Sequence, residues 1–199
     1  MTEPSFALNT KCEFIKVTRE LLDNCDTFSC GNLDLDSFFS QEAIAYDKDR
    51  MGKTYCWLLK EDDTKIVAFV TLANAGIQTT HLQNNPRRKI NDLIARKKQG
   101  RSYPAVLIGR LAVNRDFQGS NFMIGKQIMD FIKAWFSEDD NKTGCRFILV
   151  DAVNNEHTIN YYTRNGFKPL FPKIENEKDF YHIDQNEVLH TRMFYFDLL

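Results

Sequence analysis

The stretch NNEHTINYYTRNGF, residues 154–167, sets two adjacent phenols, Tyr161 and Tyr162, just ahead of an Asn-Gly-Phe close. A phenol titrating at about 10 stays protonated at neutral pH and can give its proton to a departing anion. The same stretch also has the grammar of a helix. Asn154 or Asn155 can accept a free N–H of a first turn, and Gly166 suits the left-handed residue that ends a helix. Counted back from Gly166, Tyr162 and Phe167 take the two positions that touch in a Schellman ending. Packing and proton donation are therefore both open to Tyr162. Tyr161 is turned about 100° from its neighbour on a helix, so the two phenols do not share one role.

A second constellation lies upstream in LAVNRDFQGSNFMIG, residues 111–125. An apolar strand ends at Val113, a polar loop with Gln118-Gly119 follows, and a helix begins near Ile124-Gly125. Such a turn aims several unpaired N–H groups and the positive end of a helix dipole at one point, which suits a phosphate or pyrophosphate. Many α/β proteins have such turns with nothing bound. A third feature is the segment 86–101, PRRKINDLIARKKQGR, with seven basic residues against one acid. Ile90, Leu93 and Ile94 are spaced for one apolar face of a short helix. The plainer reading is a solvated insertion that balances acidic residues elsewhere. The sharper one is an arm for tRNA or another polyanion, although no aromatic residue is interleaved for base stacking.

The elements that must position these groups follow from periodicity. Residues 13–19 read as a first strand, and 30–49 as a helix with Leu35, Phe38, Phe39 and Ala43 at helical spacing. Two apolar runs, 54–60 and 65–73, flank an acidic turn and form a hairpin signal. Residues 103–113 and 146–153 read as buried strands and 191–199 as a closing strand. Ile124, Ile128, Phe131, Ile132 and Trp135 fall on one helical face. Strands joined by helices predict a mixed α/β sheet covered by helices. With no repeat or low-complexity tract, 1–199 is read as one domain carrying a basic helical insertion around 86–101.

Composition narrows the classes. At 199 residues, 43% hydrophobic and a net charge of −1, the chain has no general pull toward nucleic acid or anionic membrane. Five cysteines without paired spacing argue against a disulfide framework or zinc knuckle, and the four histidines are not at ligand spacing, so no metal site is expected. There is no apolar leader at the start and no run of 18 apolar residues. A reducing cytoplasm and no membrane association are the expectation.

Taken in order, strand, anion loop, helix, strand, and then Asn155, Tyr162, Gly166 and Phe167 at Asn-x6-Tyr-x3-Gly-Phe spacing, the chain resembles the GNAT superfamily of acetyl-CoA-dependent N-acetyltransferases. With FSCGNLDLDSFF, the hairpin and PAVLIGRLAV included, it is similar to the branch containing tRNA-acetylating toxins. The resemblance covers most of the chain outside the first dozen residues, 78–102 and 172–189. It implies a splayed central sheet and acetyl-CoA as cosubstrate. The strand ending Leu111, Ala112, Val113 would bond the pantetheine and thioester through its backbone. Gln118, Gly119, Ser120, Ile124 and Gly125 would hold the pyrophosphate, Asn155 would touch the pantetheine arm, and Tyr162 would protonate the departing thiolate. The implied reaction is direct attack by a primary amine, either of a small molecule or of aminoacyl-tRNA, with tRNA contact through the basic segment. A homodimer is compatible with the sequence.

Two departures from the family pattern stand out. The phosphate loop QGSNFMIG carries about two extra residues and puts Met123 where a middle glycine is expected, so the loop either crowds the pyrophosphate or bulges at Asn121-Phe122. The fourth strand offers Arg110 where many relatives place a glutamate that deprotonates the amine. A free α-amine titrates at about 7.7–8.0 against about 10.4 for lysine, so the missing carboxylate tilts the acceptor toward an α-amine. The irregular loop also leaves a catalytically silent acyl-CoA-binding module as the rival from another class.

Overall fold

The structure, a computed structural model, describes residues 5–94, 102–119, 121–141 and 144–199. Among these, seven strands form one sheet: β1 Cys12–Lys16, β2 Lys53–Leu59, β3 Ile66–Gln78, β4 Ser102–Val113, β5 Phe147–Val153, β6 Lys168–Pro169 and β7 Thr191–Asp197. Their order is β1-β2-β3-β4-β5-β7-β6, with antiparallel pairing at β1/β2, β2/β3, β5/β7 and β6/β7. The helices are α1 Leu8–Lys11, α2 Arg19–Asn24, α3 Leu33–Ser37, α4 Ala43–Lys48, α5 Asn84–Asp92, α6 Ile124–Ser137, α7 Glu156–Arg164 and α8 Ile174–Tyr181. The predicted mixed α/β sheet with flanking helices is what the chain forms. Among the described residues no helix is long and apolar enough to cross a membrane. The chain divides into two compact units, Met1–Ala73 with Ile108–Trp135, and Asn74–Leu107 with Phe136–Leu199.

In the first unit, the hairpin of β2 and β3 forms as its two apolar runs predict. The first strand stops short of the expected residue 19 because Thr18 caps α2, its hydroxyl accepting the Leu21 N–H at 3.1 Å. The single helix expected across 30–49 is interrupted by one π-helical turn, Phe38–Glu42. That turn lets the adjacent Phe38 and Phe39 both bury, and Phe39 stacks on Phe69 at 4.4 Å between centroids. Phe28 completes this core. Along α6, Ile124, Ile128 and Ile132 are buried, while Trp135 packs edge-on to Phe14 and Tyr55, and Phe131 lies tilted on Phe14 and edge-on to Trp57.

In the second unit, Phe147 and Leu149 of β5, Tyr195 of β7 and Phe171 share a core with Ile90 of α5. Leu93 and Ile94 pack against that core, so the short basic helix docks by the apolar face its spacing predicts. The rest of the basic segment, 95–101, lies outside the described residues. The sequence reading left 172–189 without an element. It contains α8, fastened by an ion pair between fully buried Glu177 and Arg192 at 2.7 Å.

Candidate functional site

The strand–loop–helix of the first unit is braced by side chains that satisfy backbone groups of the turn. At the end of β4 the Asn114 N–H bonds Val67 O at 2.9 Å and its amide nitrogen bonds Ile66 O at 3.0 Å. Its side-chain oxygen accepts the Asp116 N–H and holds the following 3-10 turn. The Gln118 amide nitrogen donates to Cys30 O and Val113 O, both at 2.8 Å. Gln118 thus ties its turn to the last residue of β4 and to the loop ahead of α3. Gly119 follows at φ +120°, where an L side chain would be strained although the space around it is open. Ser120 lies outside the described residues.

Met123 adopts φ +52°, the left-handed region a glycine would enter without cost. Met123 itself is partly exposed. The extra residues ahead of it fold onto the N-terminal segment. Asn121 O accepts both the N–H and the hydroxyl of Ser5, and Phe122 closes a ring cluster with Phe6 and Phe117. Gln127, one turn into α6, fastens this arrangement: it donates to Phe6 O and Phe122 O and accepts the Leu8 N–H, each at 2.8 Å. Asn121 and Phe122 are thereby held against the N-terminal segment. The first turn of α6 carries no acid, so the positive end of its dipole is not countered. A φ > 0 glycine, a short turn and an acid-free helix start fit an anionic pyrophosphate. Leu111, Ala112 and Val113 end β4, Gln118 and Gly119 stand in the loop, and Ile124 and Gly125 open α6. Arg110, the residue standing where a carboxylate was absent, lies with its guanidinium 3.7 Å from the centre of the Phe38 ring and close to Tyr46.

Asn155 and Tyr162 belong to the second unit. Asn155 caps α7, its side-chain oxygen accepting the Thr158 N–H at 2.8 Å. The helix ends as a Schellman motif: Phe167 N–H reaches Tyr162 O at 3.0 Å, Gly166 N–H reaches Thr163 O at 2.9 Å, and Gly166 sits at φ +80°. The Tyr162 and Phe167 rings meet at 5.4 Å, so the packing role is real. Tyr162 is buried, and burial pushes its hydroxyl up to about 12. At neutral pH it is a proton donor only, which is compatible with the chemical role as well.

A match to the Acetyltransferase (GNAT) domain family spans residues 52–169. The chain belongs to the GNAT acetyltransferase family. It is an acetyl-CoA-dependent N-acetyltransferase, and acetyl-CoA is its cosubstrate. Among curated relatives, a tRNA-acetylating toxin of Mycobacterium tuberculosis is 26% identical over 134 residues, 67% of this chain and 72% of the relative. Two solved GNAT-fold structures superpose across nearly the whole chain. AtaT in complex with acetyl-methionyl-tRNA gives a TM-score of 0.62 at 19% identity, covering 94% of each chain. AtaTR bound to acetyl-CoA gives 0.61 at 18% identity, covering 95% of each.

Proposed function

We propose that this acetyltransferase transfers the acetyl group of acetyl-CoA to the α-amine of an aminoacyl-tRNA, in the manner of a toxin. The observation that carries the reading is the similarity to a tRNA-acetylating relative over two thirds of the chain. The chemistry of the site supports it. With Arg110 laid on Phe38 and no carboxylate on β4, an acceptor that is already partly neutral at pH 7 suits the enzyme better than a lysine. Arg87, Arg88 and Lys89 are exposed on α5 and supply cations for a phosphate backbone. The family match runs through residues of both units, which supports reading the chain as one catalytic domain. The cytoplasm, where charged tRNA is made and used, is the setting this reading requires.

On this reading the N–H groups from Gly119 to Gly125 receive the pyrophosphate, and the backbone of Leu111, Ala112 and Val113 receives the pantetheine and thioester. Asn155 meets the pantetheine arm. Gln118, its amide nitrogen tied to Cys30 O and Val113 O, keeps the turn in shape. Tyr162 gives its proton to the leaving thiolate. The N-terminal strap through Phe6 and Gln127 holds the longer loop clear of the phosphates.

Gly125→Asp places a carboxylate in the first turn of α6, against the phosphates. Calorimetry should show acetyl-CoA affinity reduced about tenfold or more, the scale of an unfavourable charge at a helix N-terminus with some desolvation. Unchanged affinity would remove this turn from the cosubstrate site. The acceptor is tested by comparing kcat/KM for charged tRNA, deacylated tRNA, amino-acid amides and a lysine peptide. Charged tRNA should lead and should lose efficiency as salt rises. A lysine peptide that outcompetes charged tRNA would overturn the proposal.

A further inference from the structure

Residues 5–8 reach the loop between β4 and α6 across 116 to 121 positions of sequence. The Phe6 ring meets those of Phe117, just ahead of Gln118, and Phe122, just ahead of Met123, at 5.5 and 6.2 Å between centroids. Phe117 and Phe122 also meet each other at 6.2 Å, so the three rings close the base of the loop. Gln127 joins the same two segments through its amide. The amide nitrogen donates to Phe6 O and Phe122 O, and the amide oxygen accepts the Leu8 N–H. A side-chain amide engaged at both ends is fixed in one orientation.

The groups that this strap holds in the loop are carbonyls. Asn121 O accepts the Ser5 N–H at 3.1 Å and the Ser5 hydroxyl at 3.0 Å, and Phe122 O accepts from Gln127 at 2.8 Å. A trans peptide points its N–H opposite to its C=O. Turning the Asn121 carbonyl onto Ser5 therefore turns the Phe122 N–H away from the strap, and among the described residues that N–H has no protein acceptor. The next peptide likewise turns the Met123 N–H away, toward Gly119 O at 3.4 Å. Met123 stays at φ +52°, a conformation that a residue other than glycine keeps only where its surroundings fix it. The first turn of α6 follows directly and carries no acid. The strap thus takes partial negative charge out of the loop and leaves donors in it, which suits an anion.

We propose that Gln127 is a positioning residue for acetyl-CoA, and that with residues 5–8 it aims the Phe122 N–H at the pyrophosphate. The inference rests on the reading that the turn from Gly119 to Gly125 receives the pyrophosphate, and it adds to that turn one named donor and the device that holds it. Gln127 acts through Phe122, whose carbonyl it keeps off the phosphates. Affinity for the phosphate end of the cosubstrate is thereby governed by residues 5–8, while the thioester end, received by the β4 backbone, is independent of them.

The test compares acetyl-CoA with S-acetylpantetheine, which has the same thioester and no phosphate, on the full chain by calorimetry and ligand-observed NMR. Gln127→Leu should weaken acetyl-CoA about tenfold or more, the scale of a lost hydrogen bond to a charged group, and leave S-acetylpantetheine at its wild-type affinity. Phe6→Ala, which removes the ring of the strap and leaves α6 intact, should act in the same direction and serves where Gln127→Leu does not fold. In the unmodified protein the amide resonance of Phe122 should shift with acetyl-CoA and stay still with S-acetylpantetheine. Equal weakening of both ligands, an acetyl-CoA affinity that neither variant changes, or a Phe122 resonance that acetyl-CoA does not move overturns the proposal. Gly125→Asp separates this inference from the reading beneath it. If that variant also binds acetyl-CoA as the wild type does, the turn is not the pyrophosphate site and both fail. If it binds weakly while Gln127→Leu and Phe6→Ala do not, the strap alone fails.

Discussion

Tyr162→Phe should slow acetyl transfer by about 10²- to 10⁴-fold, the range for a positioned proton donor, while melting temperature and acetyl-CoA affinity stay at wild-type values. The substitution removes one oxygen and keeps the ring, so the edge contact to Phe167 and the Schellman hydrogen bonds through the Tyr162 carbonyl persist. A merely structural tyrosine would leave turnover near wild type. Because burial holds the hydroxyl up to about 12, the native enzyme keeps this proton well above neutral pH. Any basic limb of the rate profile below pH 10 therefore belongs to another group. Tyr161→Phe is the control, since its hydroxyl points elsewhere on α7. Rapid-quench rates with charged tRNA under saturating acetyl-CoA separate the outcomes.

Arg192→Leu should destabilise the fold by about 3–5 kcal/mol, because it leaves Glu177 charged and fully buried without its ion-pair partner. It also removes the hydrogen bond from the guanidinium to Phe171 O at 2.8 Å. Replacing both members, Arg192→Leu with Glu177→Met, should recover much of the loss, since the penalty comes from the stranded charge. The pH dependence has a defined sign. Burial raises the Glu177 carboxyl against the pull of the Met193 N–H and Arg192, and loss of Arg192 raises it further. A carboxyl whose native pKa lies above its unfolded value binds its proton more tightly when folded, so its contribution is present at low pH and is lost as pH rises through the native pKa. Urea denaturation should therefore show a smaller deficit at pH 5 than at pH 8. An equal deficit at both would place the cost in lost packing instead.

Local pattern made much of this legible. The β2/β3 hairpin, the α6 face, the Asn155 cap and the Gly166 ending each depend on residues within a few positions of one another, and each forms where periodicity and cap chemistry place it. What escaped depends on distant partners. No local signal joins Phe6 to Phe117 and Phe122, or Gln127 to the N-terminal backbone, more than 100 residues away. Helix α8 shows little apolar periodicity in sequence, and its tie to β7, the buried Glu177–Arg192 pair, joins residues 15 positions apart. The π-helical turn at Phe38 was invisible because a period of 3.6 already accounts for Phe38 and Phe39 approximately.

The most direct measurement is a single-turnover reaction between the acetyl-CoA complex and a charged tRNA pool, quenched and digested with ribonuclease for mass spectrometry of the terminal aminoacyl-adenosine. Acetyl transfer to the α-amine predicts an acetyl mass on that fragment, carried by the amino acid and dependent on acetyl-CoA. Acetyl groups found only on protein lysines or on free small amines, with the aminoacyl-adenosine unmodified, would contradict it.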